Sequence, residues 1–384
     1  MSIVVRPLDS AQWPAVKALL GLSFNIPPDS WDVFRARVGP NYLRVAMRDG
    51  EPVGAAGIYP MGQYWGGRSV PLGGIAGVGV APHARGLGVA RALMVDCLEL
   101  LRRDGVPVAG LYPATQGVYR KVGFEQSGER VQYETRLEDL AGFRREVEIT
   151  PVDVNDPATL DLVRMRYRPV HGNLARTPAI WARLLQPVGT TRNAWLIGDD
   201  GYVILSRESS DAPHARIDVV DLSAPSAPTS RTLLSFLAGH RSMVDTARWF
   251  GSPADPLVAT LPEPTWKVTY HQRWMLRIVD VDKALVGRGW PTHLKATLHL
   301  KIDDPLLPAN SGRRVLTLAE GTATVTPGGR GDLVVPIASL APLYSGMFDA
   351  QTLASLGWIS GNAAALSRAS VVFSAPLPWM REMY

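Results

Sequence analysis

One segment constrains this chain more than any other: a glycine-studded strand that stops at a proline and turns through arginine and glycine straight into a helix. It reads Val78-Gly79-Val80-Ala81-Pro82-His83-Ala84-Arg85-Gly86-Leu87-Gly88-Val89-Ala90. A strand is expected over 75–80, closed by Pro82. The following helix, 89–103, keeps Ala90, Leu93, Met94, Cys97, Leu98 and Leu101 on one face at three- and four-residue spacing, with Gly105 as its stop. Glycines in such a turn let backbone N–H groups come close to an anion. The helix start adds unpaired donors and a favourable dipole, and Arg85 adds a charged contact, which together suit a pyrophosphate. Alone, Arg-Gly-x-Gly also occurs as a plain surface turn; the strand before it and the long helix after it give it meaning.

The rest of the first 140 residues continues the alternation. Helices are expected at 14–20 and 30–37, the second with Ser30 as N-cap. A hairpin spans 41–59 around Asp49-Gly50. A short buried strand follows at 107–111, then a short helix holding Tyr119, then strands near Phe124 and over 131–136. Residues 146–273 repeat the style without a glycine-rich turn. Helices are expected at 160–166, 179–185 and 229–238, and strands at 194–197, 201–206 and 215–221. The remainder carries helices at 281–286, 337–343 and 350–356 and strands at 294–302 and 323–326. Three regions result: 1–145, 146–273 and 274–384. The 384 residues, 46% hydrophobic and 20% charged, supply ample core material for that number.

Composition excludes several functions. Forty Lys and Arg against 35 Asp and Glu leave a net charge of +5 with no basic run, so no nucleic-acid partner is expected. No uncharged stretch is long and unbroken enough for a bilayer, and the first residues lack a basic leader with an apolar core, so no membrane partner and a cytoplasmic location are expected. The single cysteine, Cys97, excludes a disulfide framework and reads as a buried inert thiol. His83, His171, His214, His240, His271, His293 and His299 show no metal-ligand spacing, so no metal is expected. A Gly-x-Ser-x-Gly elbow and a Walker A loop are absent.

The segment around Arg85, Gly88 and Ala90 resembles the coenzyme-A signature Gln/Arg-x-x-Gly-x-Gly/Ala of the GNAT superfamily of N-acetyltransferases. Downstream, Ala114-Thr115-Gln116-Gly117-Val118-Tyr119-Arg120-Lys121-Val122-Gly123-Phe124 is similar to that superfamily's second signature, a Tyr on a short helix followed by Gly-Phe. The chain as a whole resembles the Eis (enhanced intracellular survival) acetyltransferases; Trp274 to Val281, Ala284-Leu285 with Gly287-Arg288-Gly289, and Gly321-Thr322-Ala323 look like that family's third domain. The resemblance implies an α/β (α+β) fold of two tandem GNAT-like mixed-sheet domains, the second degenerate, and a C-terminal sterol-carrier-protein-like domain. It also implies a homohexamer.

The implied activity is acetyl transfer from acetyl-CoA to a primary amine of a small polyamine-like acceptor of aminoglycoside type. Acetyl-CoA would lie along Val78, Gly79 and Val80, over the turn Arg85, Gly86, Leu87, Gly88, Val89, Ala90 and Arg91, and beside Ala114 and Thr115. By spacing alone Tyr119 reads as an ordinary half-buried aromatic; the resemblance makes it the general acid, a role that a phenol protonated at neutral pH can fill. Chain ends ordinarily fray. Here the resemblance makes the Tyr384 carboxylate the base, and Phe373, Leu377, Pro378, Trp379 and Met380 make the tail apolar enough to dock. Phe24, Trp31 and Phe34 are expected to wall the acceptor pocket, each being equally readable as core. Asn25-Ile26-Pro27-Pro28 lacks an acid expected after Phe24, with Asp29 and Asp32 just beyond, and Met383 stands where the family has an acid, with Glu382 one place earlier. That thinning of carboxylates weakens the case for a polycation. Protein lysine acetylation, or a lipid-binding protein with a vestigial acetyltransferase fold, are the alternatives.

Overall fold

The structure, a computed structural model, describes residues 3–165, 170–187, 190–207 and 216–384. A 13-stranded sheet dominates it. Its first half comprises β1 (Val4–Pro7), β2 (Leu43–Arg48), β3 (Glu51–Trp65), β4 (Arg68–Val80), β5 (Val108–Leu111) and β6 (Glu125–Arg136). The second comprises β7 (Ile149–Val152), β8 (Leu174–Ala175), β9 (Arg192–Ile197), β10 (Gly201–Arg207), β11 (Arg216–Ser223), β12 (Thr246–Gly251) and β13 (Trp266–Ile278). The order across the sheet is β1-β2-β3-β4-β5-β13-β6-β12-β11-β10-β9-β7, with β8 on β3.

Asp49 and Gly50 both take positive φ, as a two-residue hairpin between β2 and β3 requires. β3 and β4 run further than the sequence suggests and meet in a second tight turn at Gly66-Gly67, also at positive φ. β13 is the larger departure. It leaves the second half, lies between β5 and β6 and completes the first half's sheet. Its alternation is masked because residues 267–271 are exposed while 274–278 are fully buried. Residue 273 falls inside this strand.

The helices that matter for the site are α1 (Trp13–Phe24), α2 (Ser30–Val38), α3 (Val89–Arg103) and α4 (Gln116–Arg120). α3 buries Val89, Leu93, Met94, Cys97, Leu98, Leu100 and Leu101, the stripe read from its spacing. Asp29, not Ser30, is the N-cap of α2. Between the strands of the sheet, among the described residues, parallel pairing is confined to β4–β5 and β11–β12, each pair joined across a helix, α3 in one half and Ala227–Ala238 in the other. The two halves thus repeat one β–α–β plan. In the second, the helix N-terminus is closed on itself: Ser226 Oγ accepts the N–H of Thr229, and Pro228 has no N–H to offer. The expected helix at 160–166 is Pro157–Met165, and the strand at 215–221 is Arg216–Ser223; Arg166, His214 and Ala215 lie outside the described residues.

The last region holds a five-stranded sheet whose order is Thr322–Pro327, Gly312–Ala319, Ala296–Asp303, Leu333–Pro336 and Ser360–Gly361. It shares a single hydrophobic core with the first half, running from Trp13 through Leu98 and Trp274 to Leu316, Tyr344 and Tyr384. A fully buried ion pair, Arg277 to Asp304 at 2.7 Å, ties the two together, and Arg277 also donates to the carbonyl of Val122. Among the described residues no helix is long and apolar enough to cross a membrane.

Candidate active site

The turn before α3 has the geometry an anion needs. Gly86 and Gly88 stand at φ +80° and +86°, and a Cβ at either would point into open space. Gly88 caps α3 without any side-chain bond, so the N–H groups of the first turn at Val89, Ala90 and Arg91 stay available. They face a cleft of about 520 Å³. Val78, Gly79, Val80, Arg85, Gly86, Gly88, Val89, Ala90, Arg91, Ala114 and Thr115, all expected to bind the cofactor, line it. Leu87 does not; it is half-exposed at the turn's outer side. Lys121, which the sequence reading passed over, lines the cleft and joins Arg85 and Arg91 as a third cation.

The cleft lies in a fork of the sheet. β4 and β5 pair at Leu72–Val108, Gly73–Ala109 and Gly74–Gly110, and then part. A bulge opposes Gly77 and Val78 to Ala56 alone, releasing the end of β4 from regular pairing. Val78 to Val80 line it from the end of β4, and Ala114, Thr115, Val118 and Tyr119 from the segment that follows β5. Tyr119, on α4, is buried at 8% exposure, and burial raises its phenol above the ordinary value of 10. Its ring packs edge-on to Phe124 at 6.2 Å. A neutral O–H thus faces the cleft across the whole physiological pH range.

Tyr384 is seated at the apex of the fork. A Cβ at Gly74 would come within 2.7 Å of its ring, and one at Gly110 within 2.6 Å of its Oη. Glycine at both positions admits the ring. Tyr112 meets it edge-on at 5.9 Å. The tail leading there is docked, not frayed. Its carbonyls are taken one after another: Pro378 by the N–H of Glu129, Trp379 by Asn173 at 2.9 Å, Arg381 by Arg130 at 2.8 Å, Glu382 by the Tyr112 hydroxyl at 2.8 Å and Met383 by Arg183 at 2.9 Å. Beneath it Arg176 and Arg381 both pair with Asp221, and Arg176 also pairs with Glu382. Those two guanidinium charges hold the Asp221 carboxyl well below the usual range despite full burial. None of these clamps was readable from the sequence, since Arg130 and its partner are 251 residues apart.

Phe24, Trp31 and Phe34 do come together. Phe24 and Trp31 lie 5.1 Å apart between centroids, Trp31 and Phe34 5.2 Å, and Phe34 and Tyr59 5.7 Å. This aromatic row, extended by Tyr59, crosses the face of β3 and β4 at the bulge. Asp29 and Asp32 beside it are occupied: Lys17 bonds both, at 2.8 and 3.2 Å, and the Trp13 indole N–H donates to Asp32. No group of three His, Cys, Asp or Glu among the described residues could hold a metal.

A glycine turn at a helix N-terminus, opening into the fork of a parallel strand pair with a protonated Tyr lining the cleft, defines a GNAT-type N-acetyltransferase, a class that uses acetyl-CoA as co-substrate. The family comparisons agree. A model described as an acetyltransferase (GNAT) domain matches residues 4–127, another of that description matches 172–278, and a sterol carrier protein domain matches 281–381. A GCN5-related N-acetyltransferase from Anabaena variabilis is 34% identical with a TM-score of 0.95, each chain covered in full. One from Kribbella flavida is 30% identical with a TM-score of 0.90, covering 100% of this chain and 98% of that one. N-acetyltransferase Eis of Mycobacterium tuberculosis is 28% identical over 98% of both chains. The chain belongs to the Eis family of GCN5-related N-acetyltransferases.

Proposed function

We propose that this enzyme transfers the acetyl group of acetyl-CoA to a primary amine of a small acceptor, with Tyr119 as general acid and the α-carboxylate of Tyr384 as base. The seating of Tyr384 on Gly74 and Gly110, where β4 and β5 part beside the Tyr119 cleft, carries this reading. The pyrophosphate lies against the N–H groups of Gly88, Val89, Ala90 and Arg91, with Arg85, Arg91 and Lys121 around its charge. Val78 to Val80 offer backbone groups along the pantetheine arm. The amine nitrogen bonds to the thioester carbon, the C–S bond breaks, and the sulfur takes the Tyr119 proton while the amine's surplus proton passes to the Tyr384 carboxylate. The aromatic row of Phe24, Trp31, Phe34 and Tyr59 shields the amine from water. Assembly as a homohexamer belongs to the same reading and is measured by light scattering.

Thiol release from acetyl-CoA, followed with an amine panel that includes aminoglycosides, spermine and simple alkylamines, tests it. Acceptor-dependent release that falls in Tyr119→Phe and in a form extended by two residues beyond Tyr384 supports both roles. Undiminished release in either variant removes the role assigned to that residue.

A further inference from the structure

A second cavity, of about 340 Å³, opens onto Met383 and Tyr384 from the side of the second half-sheet. That volume is at the small end of the range for small-molecule sites. Its wall carries Arg130, Arg183, Arg192, Arg248 and Arg381 against two carboxylates, Asp218 and Glu382. Both carboxylates are already engaged: Asp218 is held bidentately by Arg248, and Glu382 is paired with Arg176. Arg381 is matched by Asp221. Arg130 and Arg183 spend one N–H each on carbonyls of the tail and pair with no carboxylate among the described residues. Arg192 is half-buried at the start of β9, with its Nε buried and unbonded. Burial disfavours its charge, which leaves a partly desolvated guanidinium lacking a full counterion.

The other approach to Tyr384 has the same sign. Arg37, donating to the carbonyls of Ala182 and Gln186, is near enough to Arg183 for the two to repel, and both adjoin Tyr59 at the end of the aromatic row. The acids on that side, Asp29 and Asp32, are neutralised by Lys17. Every carboxylate named at either approach thus has a cationic partner, while Arg130, Arg183 and Arg192 beside the terminal residue form no ion pair among the described residues, with only the already engaged Glu382 near Arg130 and Asp218 near Arg192. A polycationic acceptor would meet net repulsion there.

Resting on the acetyl-transfer reading above, we propose that the acceptor is a small primary amine that also carries an oxyanion, held by Arg183, Arg192 and Arg130 while its amine reaches Tyr384. A planar guanidinium fork fits a carboxylate with two parallel bonds and fits a phosphate equally well. The shared chemistry is therefore an oxyanion a few bonds from an amine, supplied by an amino carboxylate or by an aminoalkyl phosphate.

Matched twins test this with the full-length enzyme at saturating acetyl-CoA: β-alanine against propylamine, and phosphoethanolamine against ethanolamine, with spermine and kanamycin as polycations. The anionic twin should have kcat/KM at least about tenfold higher at low salt, the worth of one charge-assisted contact. The ratio should shrink as salt is raised. In Arg192→Gln it should collapse through a raised acceptor KM, and Arg192→Lys should restore part of it. The better twin pair tells carboxylate from phosphate. Neutral or polycationic amines matching the anionic ones, or a ratio untouched in Arg192→Gln, overturns the subsite while leaving acetyl transfer standing. Thiol release with no amine at all would instead strike the transfer reading. Titration calorimetry of β-alanine on the CoA-loaded protein then decides the subsite separately: heat that Arg192→Gln abolishes supports it, and no heat overturns it.

Discussion

Gly110→Ala is the sharpest probe of the role given to the chain's last residue. Gly110 has no unusual backbone angle, so alanine introduces only a methyl group. That methyl would sit 2.6 Å from Tyr384 Oη, with Leu72 Cδ1 at 3.3 Å and Leu276 Cδ2 at 3.4 Å behind it. Ordinary contact begins near 3.5 Å, so the phenol must retreat by roughly 0.9 Å. The ring cannot swing freely, because it is packed against Gly74 on one side and meets Tyr112 edge-on at 5.9 Å. The displacement therefore passes into the main chain and its carboxylate. A 1 Å misplacement of a reacting group costs up to about a hundredfold, so kcat should fall between tenfold and a hundredfold. KM for acetyl-CoA should hold, since Gly110 is not part of the phosphate cleft. Overpacking should lower stability by about 1–3 kcal/mol. Combining Gly110→Ala with Tyr384→Phe removes the clashing oxygen and should restore most of kcat, while Tyr384→Phe alone should remain near wild type. Steady-state thiol release with the best amine, alongside urea titration, measures all three. Wild-type kcat in a folded Gly110→Ala enzyme, or a double variant no better than the single, would refute the reasoning.

Three further outcomes follow from the same geometry. Tyr119→Phe should lower kcat by about 10²–10⁴ at little cost in acetyl-CoA KM; because burial raises the phenol's pKa, the wild-type rate should lose its acid only above pH 10, a limb absent from the variant's pH profile. Gly88→Ala puts a Cβ at φ +86°, so urea titration should show a loss of about 1–2 kcal/mol, and KM for acetyl-CoA should rise as the turn shifts. His171 donates from Nε2 to the carbonyl of Ser345 and accepts the N–H of Gly66 at Nδ1, and burial with Arg288 nearby lowers its pKa from 6.5 to about 4. The unfolded chain takes up that proton first, so stability should decline as pH falls from 6.5 towards 4, by about 3 kcal/mol at most; His171→Asn should flatten that part of a stability–pH curve.

Legibility in the sequence followed the range of the interaction. The turn from Arg85 to Arg91, the helix 89–103 and the Tyr119 helix are local. Their chemistry depends on residues within a turn or two, and strand, stop, turn and helix arrive in reading order. The Asp49-Gly50 hairpin is legible for the same reason. β13 is not, because half of it is exposed and half buried, and its partners β5 and β6 come more than 130 residues earlier. The aromatic row could be guessed but not distinguished from core, since Phe34 meets Tyr59 only through the β3 face. Lys121 was recoverable in principle: it lies two residues past Tyr119 on the signature already quoted, and only its charge needed weighing.

The second half of the sheet explains why a domain without a phosphate turn persists in the architecture. Its own helix start is sealed by Ser226 and Pro228, so it lacks the open N-terminus that the proposed mechanism gives to α3. It contributes most of the tail's seat instead: Arg183 from Pro178–Leu185, Arg176 beside β8, Asp221 from β11 and the Phe250 carbonyl from β12. A tail held only by apolar contacts could slide along its groove. One fixed at successive carbonyls and by a buried Arg176–Asp221–Arg381 cluster has a single register, which brings its last residue to Gly74 and Gly110. Such a cluster adds little net stability, because removing its three charges, and that of Glu382 beside them, from water offsets their attraction. Its value lies in register: breaking it by Asp221→Asn would strand the Arg381 guanidinium, leave Arg176 with Glu382 alone and loosen the tail, so that, on the proposed mechanism, the second half would act through position.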